Sequence, residues 1–233
     1  MFGAVKAILR DILTAVLPRR CTSCGTPLAA RERFWCIPCG FSWCRHVQVA
    51  QRRFQDRLTW AHAWSWLTLQ GEEERSLVHA LKYGGSPQLG IELGMAMAEE
   101  WVTTTKTAQR LCHHWSVVPV PLHPRRQRKR GYNQSMQLAI GWSHRTGMTI
   151  DPLCIRTDAG RSFTRFSRSQ RMARRKNPFA WKETPTITPA LVHGLIIMDD
   201  VVTTGSTLES MHDTLRKHWS GPLAFITLAD AEQ

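Results

Sequence analysis

Hydrophobic positions recur at helical spacing near the start of the chain. Val5, Ile8, Leu9, Ile12, Leu13 and Val16 share one face and predict an amphipathic helix over 2–17. Further on the period changes. The run Thr59-Trp-Ala-His-Ala-Trp-Ser-Trp66-Leu-Thr-Leu69 alternates large and small residues, reads as hairpin-like, and is expected to begin a core domain. Residues 71–83 and 87–102 return to helical spacing, with Glu72 and Glu73 well placed at the first N-terminus, and 103–110 forms a polar connection. Short apolar runs then alternate with helices. Val117-Val-Pro-Val-Pro-Leu122 reads as a buried strand that prolines break where it meets a loop. A helix over about 133–145 and a strand over 150–155 follow. Leu195-Ile-Ile-Met forms another strand, a helix carries Leu208, Met211 and Leu215 on one face, and a last strand covers 224–228. The pattern is that of an α/β fold: a parallel sheet flanked by helices.

Composition narrows the class. A hydrophobic content of 42% and ten Trp exclude a disordered tail and require real cores. A length of 233 residues suits one main domain and at most a small accessory one. No run approaches the ~18–20 uninterrupted apolar residues of a membrane span. Lys6, Arg10 and Asp11 interrupt any signal-peptide core, so the first helix is expected to dock on the body. Seven Cys, four of them in two C-x-x-C pairs, argue against a secreted disulfide framework and for a cytoplasmic protein.

Those pairs carry the first candidate chemistry. Cys21-Thr-Ser-Cys24 and Cys36-Ile-Pro-Cys39 are eleven residues apart, with turn formers Gly25, Pro27 and Gly40 beside them. Two such knuckles can present four thiolates tetrahedrally to one zinc at about 2.3 Å. A segment of ~20 residues cannot build its own core, so the metal would supply its folding energy. Four protein ligands close the site, which makes the zinc structural. Cys44 is a spare or competing ligand, whereas Cys112 and Cys154 sit in apolar contexts and read as core. Phe34, Trp35, Phe41 and Trp43 either pack around the metal or against the first helix, or stack nucleic-acid bases. The expected division is a zinc-ribbon module over 1–57 and a core domain over 58–233.

Charge changes the picture again. The net charge is +13, and residues 123–176 contain fourteen Lys or Arg against Asp151 and Asp158 alone, leaving +12 in that segment. Such concentration points to an anionic partner. Downstream, the apolar run ends in Asp199-Asp200, and Thr203-Thr204-Gly205-Ser206-Thr207 then opens a helix. Strand, loop and helix N-terminus are where an open α/β sheet binds phosphate. Gly205 allows close backbone approach, and paired carboxylates can accept hydrogen bonds from two vicinal hydroxyls. Phosphate plus diol describes a ribose 5-phosphate. The Arg-rich junction His123-Pro-Arg-Arg-Gln-Arg-Lys-Arg-Gly131 is where a diphosphate would sit.

The stretch from Leu195 to Leu208 resembles the thirteen-residue signature of type I phosphoribosyltransferases, which bind phosphoribosyl diphosphate (PRPP). The resemblance implies a type I phosphoribosyltransferase-like sheet. It places Asp199 and Asp200 on the ribose hydroxyls and Thr203, Thr204, Gly205, Ser206 and Thr207 around the 5′-phosphate. It further implies a diphosphate loop with His123, Arg125 and Arg126, a flexible catalytic loop carrying Arg171, Arg174 and Asn177, and Mg²⁺ on the diphosphate. With the zinc ribbon, Leu81-Lys-Tyr83-Gly-Gly, Val118-Pro-Val-Pro-Leu-His123 and Arg130-Gly-Tyr-Asn-Gln134, the whole chain resembles the ComF family of competence-associated proteins. That resemblance implies PRPP binding together with handling of single-stranded DNA in natural transformation or DNA utilisation. Competence or recombination proteins are the implied partners, and Arg126, Arg128, Lys129 and Arg130 the nucleic-acid patch. Phe163-Thr164 stands where family loops often carry Gln-Thr, and Met1-Phe2 offers no glutaminase cysteine, so a glutamine-using amidotransferase is not expected. The alternative is an ordinary phosphoribosyltransferase of nucleotide salvage or metabolism acting on a nucleobase or amine.

Overall fold

The computed structural model describes residues 18–44, 61–105, 114–157, 177–183 and 192–231. The helix expected over 2–17, Cys112, Phe163, Thr164, Arg171 and Arg174 lie outside them.

Strand β1 (Ala61–Thr68), β2 (Trp115–Pro119), β3 (Thr149–Ile150), β6 (Gly194–Val202) and β7 (Leu223–Asp230) form one sheet in the order β1-β7-β6-β2-β3. All four pairings are parallel. Every described side chain of β7 is buried, as are the first six residues of β6. This is why both read as continuous apolar runs: a parallel strand covered on both faces has no polar side. A second, antiparallel sheet pairs β4 (Cys154–Arg156) with β5 (Phe179–Trp181).

Two strands differ from expectation. The alternating run over 59–69 is no hairpin but a single edge strand, β1, lying parallel to β7 far away in the chain. The Ser65 and Thr227 hydroxyls, both buried, satisfy one another across that pairing at 2.6 Å. The run over 150–155 is divided between the two sheets. The buried Asp151 carboxylate accepts the hydroxyls of Ser116 and, at 3.2 Å, Thr149, which ends β3. Pro152 has no N–H to continue the ladder, and the chain leaves toward β4.

The helices are α1 (Ile37–Cys44), α2 (Glu72–Tyr83), α3 (Pro87–Thr104), α4 (Pro124–Arg130), α5 (Gln134–Thr146) and α6 (Ser206–Arg216). Three acidic residues in the first turn of α2 favour its N-terminus. Helices α3 and α5 pack so closely that a Cβ on Gly141 would strike the Ile91 carbonyl. The completely buried Trp142 lies beneath, 5.2 Å from Trp101 and 6.2 Å from Trp64 between ring centroids. The basic stretch expected as a loop after β2 is the short helix α4. His123 Nδ1 caps it by accepting from the Arg125 amide at 3.1 Å, and Pro124 occupies its first turn. None of its residues is buried, so no apolar stripe marks it.

The cysteine segment docks on α2 and α3. Its buried Leu28 belongs to the same apolar cluster as Leu77, Leu81 and Leu89, and Phe34 and Trp35 pack against that cluster. Arg33 reaches Glu92 at 2.7 Å. Packing therefore accounts for these two aromatics. Among the described residues no helix is long and apolar enough to cross a membrane.

Strands β2 and β6 are neighbours, yet the chain runs outward from β2 to β3 on one side and from β6 to β7 on the other. The crevice between their carboxyl ends is a topological switch point, the place where open α/β sheets bind ligands.

Candidate functional sites

A cavity of about 270 Å³ opens at that switch point. Segments from both strand ends line it: Val120–Leu122 after β2, and Asp199, Asp200, Thr203 and Thr207 from β6 onward. Four cations, Lys82, Arg126, Arg130 and Arg156, share the lining with Asn133, Gln134 and Ser135. The turn after β6 needs Gly205, whose φ of 78° lies in the left-handed region that favours glycine. It serves as the N-cap of α6, while Thr204 Oγ1 faces Ser206 Oγ at 3.1 Å within the turn.

The carboxylates are held separately. Asp199, 9% exposed, accepts on Oδ1 from Ser135 Oγ at 2.9 Å and from the Asp200 amide at 2.9 Å. Asp200 accepts on Oδ1 from the Val201 amide at 2.8 Å, and its Oδ2 lies 3.5 Å from Lys82 Nζ. Burial above all, then the neighbouring Asp200 charge, pushes the Asp199 carboxyl up to about 7 against the opposing hydrogen bonds and Lys82. The ordinary value is 3.8, so the native state holds this proton more tightly than the unfolded chain. Stability from that proton is complete below about 4 and is lost as pH rises through about 7. Asp199→Asn is therefore expected to stabilise the fold at pH 8, by on the order of 4 kcal/mol, and by about a third of that at pH 5. Urea unfolding at both pH values measures this, and an equal effect at both would contradict the ionisation assigned here.

Residues 130–135 build one wall. Tyr132 donates to the Leu81 carbonyl at 2.7 Å, fixing the end of α2 and with it Lys82. Asn133 donates to the Val120 carbonyl at 3.0 Å and caps α5 by accepting from the Ser135 amide at 3.2 Å. Arg130 lies over the Tyr83 ring at 5.2 Å, and Arg156 over Phe179 at 5.1 Å. Of the residues expected around a diphosphate, Arg126 lines the cavity, His123 is engaged as a helix cap, and Arg125 lies on the exposed surface. Of the basic patch, Arg126 and Arg130 share the cavity wall one helical turn apart, whereas Arg128 and Lys129, exposed as Arg126 is, do not line it. Asn177 donates to the Ser210 carbonyl at 2.8 Å and to Thr214 Oγ1 at 2.9 Å, fastening the start of β5 to α6. Lys82, Gln134, Ser135 and Arg156 join the cavity without having been singled out by role. Lys82 and Arg156 arrive from elements flanking the sheet, α2 and β4.

At the other end of α2, Cys21, Cys24, Cys36 and Cys39 bring their sulfur atoms within 4.8 Å of one another. Cys24 and Cys36 Sγ are 3.7 Å apart, close to the about 3.8 Å edge of a tetrahedron with 2.3 Å metal–sulfur bonds. The Cys36 amide donates to Cys21 Sγ at 3.4 Å. Hydrogen bonds from Thr26 lower the exposed Cys24 thiol to about 6, while burial pushes Cys36 and Cys39 up. Three buried sulfurs converging without a counter-charge suit a dication, and the donor set fits a metal such as zinc. Cys154 is buried in an apolar cluster with Val118, Leu153 and Phe179, where burial raises it to about 12, as a core thiol should be.

No protein-family model matches the chain. Over 146 residues it is 34% identical to DNA utilization protein YhgH of Salmonella typhi and to the protein of that name from Salmonella typhimurium LT2. The match takes in 61% of this chain, which spans 60% of the length of those relatives. Among solved structures, the allosteric regulatory enzyme of purine biosynthesis aligns with a TM-score of 0.38 and 17% identity, over 65% of this chain and 30% of that one.

Proposed function

We propose that the chain binds PRPP with Mg²⁺ in the cavity between β2 and β6 and holds single-stranded DNA on the adjoining basic surface, in the service of DNA uptake or utilisation. The observation that carries this reading is the pairing, in one switch-point cavity, of two carboxylates with four cations and with Thr203 and Thr207, the hydroxyls at either end of the turn that Gly205 makes possible; Thr204, Gly205 and Ser206 lie outside the lining. Asp199 and Asp200 would accept from the ribose hydroxyls, and Thr203 to Thr207 would hold the 5′-phosphate. Arg126, Arg130, Arg156 and Lys82 supply positive charge for a diphosphate. Mg²⁺ belongs with that diphosphate rather than with the protein: one carboxylate retains its proton to about 7 and the other already faces Lys82, a poor start for a resident hard-cation site. Bound there, Mg²⁺ would neutralise the leaving oxygens. A ComF-like arrangement, with a type I phosphoribosyltransferase-like core and a zinc-bound N-terminal module, follows from the same reading. The Salmonella relatives' name supports the DNA role.

Five of the seven residues of α4 are basic, and Arg128 and Lys129 face outward from a wall that Arg126 and Arg130 share. Replacing Arg126, Arg128 and Arg130 by Ala is expected to weaken single-strand binding at least tenfold at low salt. It should also flatten the slope of log affinity against log salt by about 2, as three lost phosphate contacts require. Fluorescence anisotropy with a labelled oligonucleotide measures both. An unchanged slope would remove α4 from the DNA surface.

A further inference from the structure

Gln134 is the first residue of α5 and is 2% exposed. It lines the cavity, yet its Nε2 has no hydrogen-bond partner among the described residues. A buried amide donor left unpaired is unfavourable, and packing does not require one, since Met or Leu fills a similar volume without polar atoms. Its surroundings say what kind of acceptor it would meet. The next residue, Ser135, donates to Asp199 Oδ1, so Gln134 belongs to the wall carrying the carboxylate. An ionised carboxylate only accepts. A ligand group that satisfies both must donate to Asp199 and accept from Gln134, which describes a hydroxyl. A phosphate oxygen could serve the amide but would be repelled by the carboxylate.

We infer that Gln134 is a specificity-determining residue that recognises a sugar hydroxyl jointly with Asp199, and so selects ribosyl over deoxyribosyl ligands. The inference rests on the reading of the cavity as a phosphoribosyl site. When the hydroxyl is bound, its O–H donates to the second Asp199 oxygen and its oxygen accepts from the Gln134 N–H. When the ligand lacks that hydroxyl, the Gln134 N–H stays unpaired in a buried wall and the second Asp199 oxygen gains no donor from the ligand. Selectivity then arises chiefly from the penalty on the wrong ligand.

The test is a cycle between the protein and the ligand. Ribose 5-phosphate, 2-deoxyribose 5-phosphate and 3-deoxyribose 5-phosphate are titrated at pH 8 into the intact wild-type chain and into Gln134→Met and Gln134→Leu. The wild type is expected to prefer ribose 5-phosphate by about tenfold or more over at least one deoxy ligand, and both variants should lose most of that preference. Urea midpoints of the variants should match or exceed the wild type, because an unpaired donor has been removed. If the wild type binds the ligands while the variants weaken all three alike, or keep the full preference, the inference is overturned and the phosphoribosyl reading survives. If the wild type binds neither ribose 5-phosphate nor PRPP, both fall. A lowered midpoint with unchanged preference would assign Gln134 to packing alone.

Discussion

Replacing Cys39 by serine is expected to abolish metal binding and unfold the segment around residues 18–44 while leaving the α/β body folded. Cys39 is 4% exposed, and its sulfur converges with those of Cys21, Cys24 and Cys36. A hydroxyl there would be a poorer ligand for a soft-tolerant dication and would leave it only three sulfur donors. Leu28 is the buried aliphatic side chain of the segment, too little apolar surface to order it alone. Structural zinc typically supplies roughly 10–16 kcal/mol in such modules, so its loss removes the segment's folding energy outright. Metal analysis should find one zinc per wild-type chain and none in the variant. Circular dichroism should show the main cooperative transition retained, because β6, β7, α3 and α5 contribute most of the cluster that Leu28 joins. A variant that kept full metal stoichiometry would contradict the four-sulfur site.

Much of this architecture is legible in the amino-acid sequence. Strands β6 and β7 announce themselves because burial on both faces leaves no polar alternation. Helices α2 and α6 carry clear apolar stripes, Leu77, Val78 and Leu81 in one and Leu208, Met211 and Leu215 in the other. Helix α4 escaped because nothing in it is buried: a cap, a proline and a terminal glycine make it helical, and none of these produces a period. The β1 run reads as a hairpin because its true partner, β7, lies some 160 residues onward, beyond any local pattern. The same distinction divides the cavity. Asp199 to Thr207 are contiguous and could be read as one phosphate-and-diol stretch. Lys82 was visible only as a letter in a motif; its reach to Asp200 depends on Tyr132 fastening the end of α2. Arg156 comes from the small second sheet, whose division from β3 the sequence does not mark except at Pro152.

The second large effect concerns the carboxylate pair. Asp199→Ala combined with Asp200→Ala should remove the stabilisation that PRPP-Mg²⁺ confers on the wild type. Each carboxylate hydrogen-bonded to a hydroxyl contributes roughly 1.5–3 kcal/mol, so losing both weakens binding about 100-fold or more. A ligand present at a hundred times its dissociation constant raises unfolding free energy by about 2.7 kcal/mol. That increment should be plain in the wild-type urea curve and near zero in the variant. Zinc content should not change, since the cysteines sit beside the start of α2 and the carboxylates beside its end. Equal stabilisation of both proteins would detach the ligand from this pair. Loss of zinc in the variant would mean that the substitutions had disturbed the whole chain.

Calorimetric titration of PRPP-Mg²⁺ into the intact protein at pH 8, where Asp199 is ionised, tests the central claim most directly. The expected result is saturable binding of one PRPP per chain, lost in the Asp199→Ala, Asp200→Ala protein. No binding at millimolar PRPP-Mg²⁺, or an isotherm that the double substitution leaves unchanged, would contradict it.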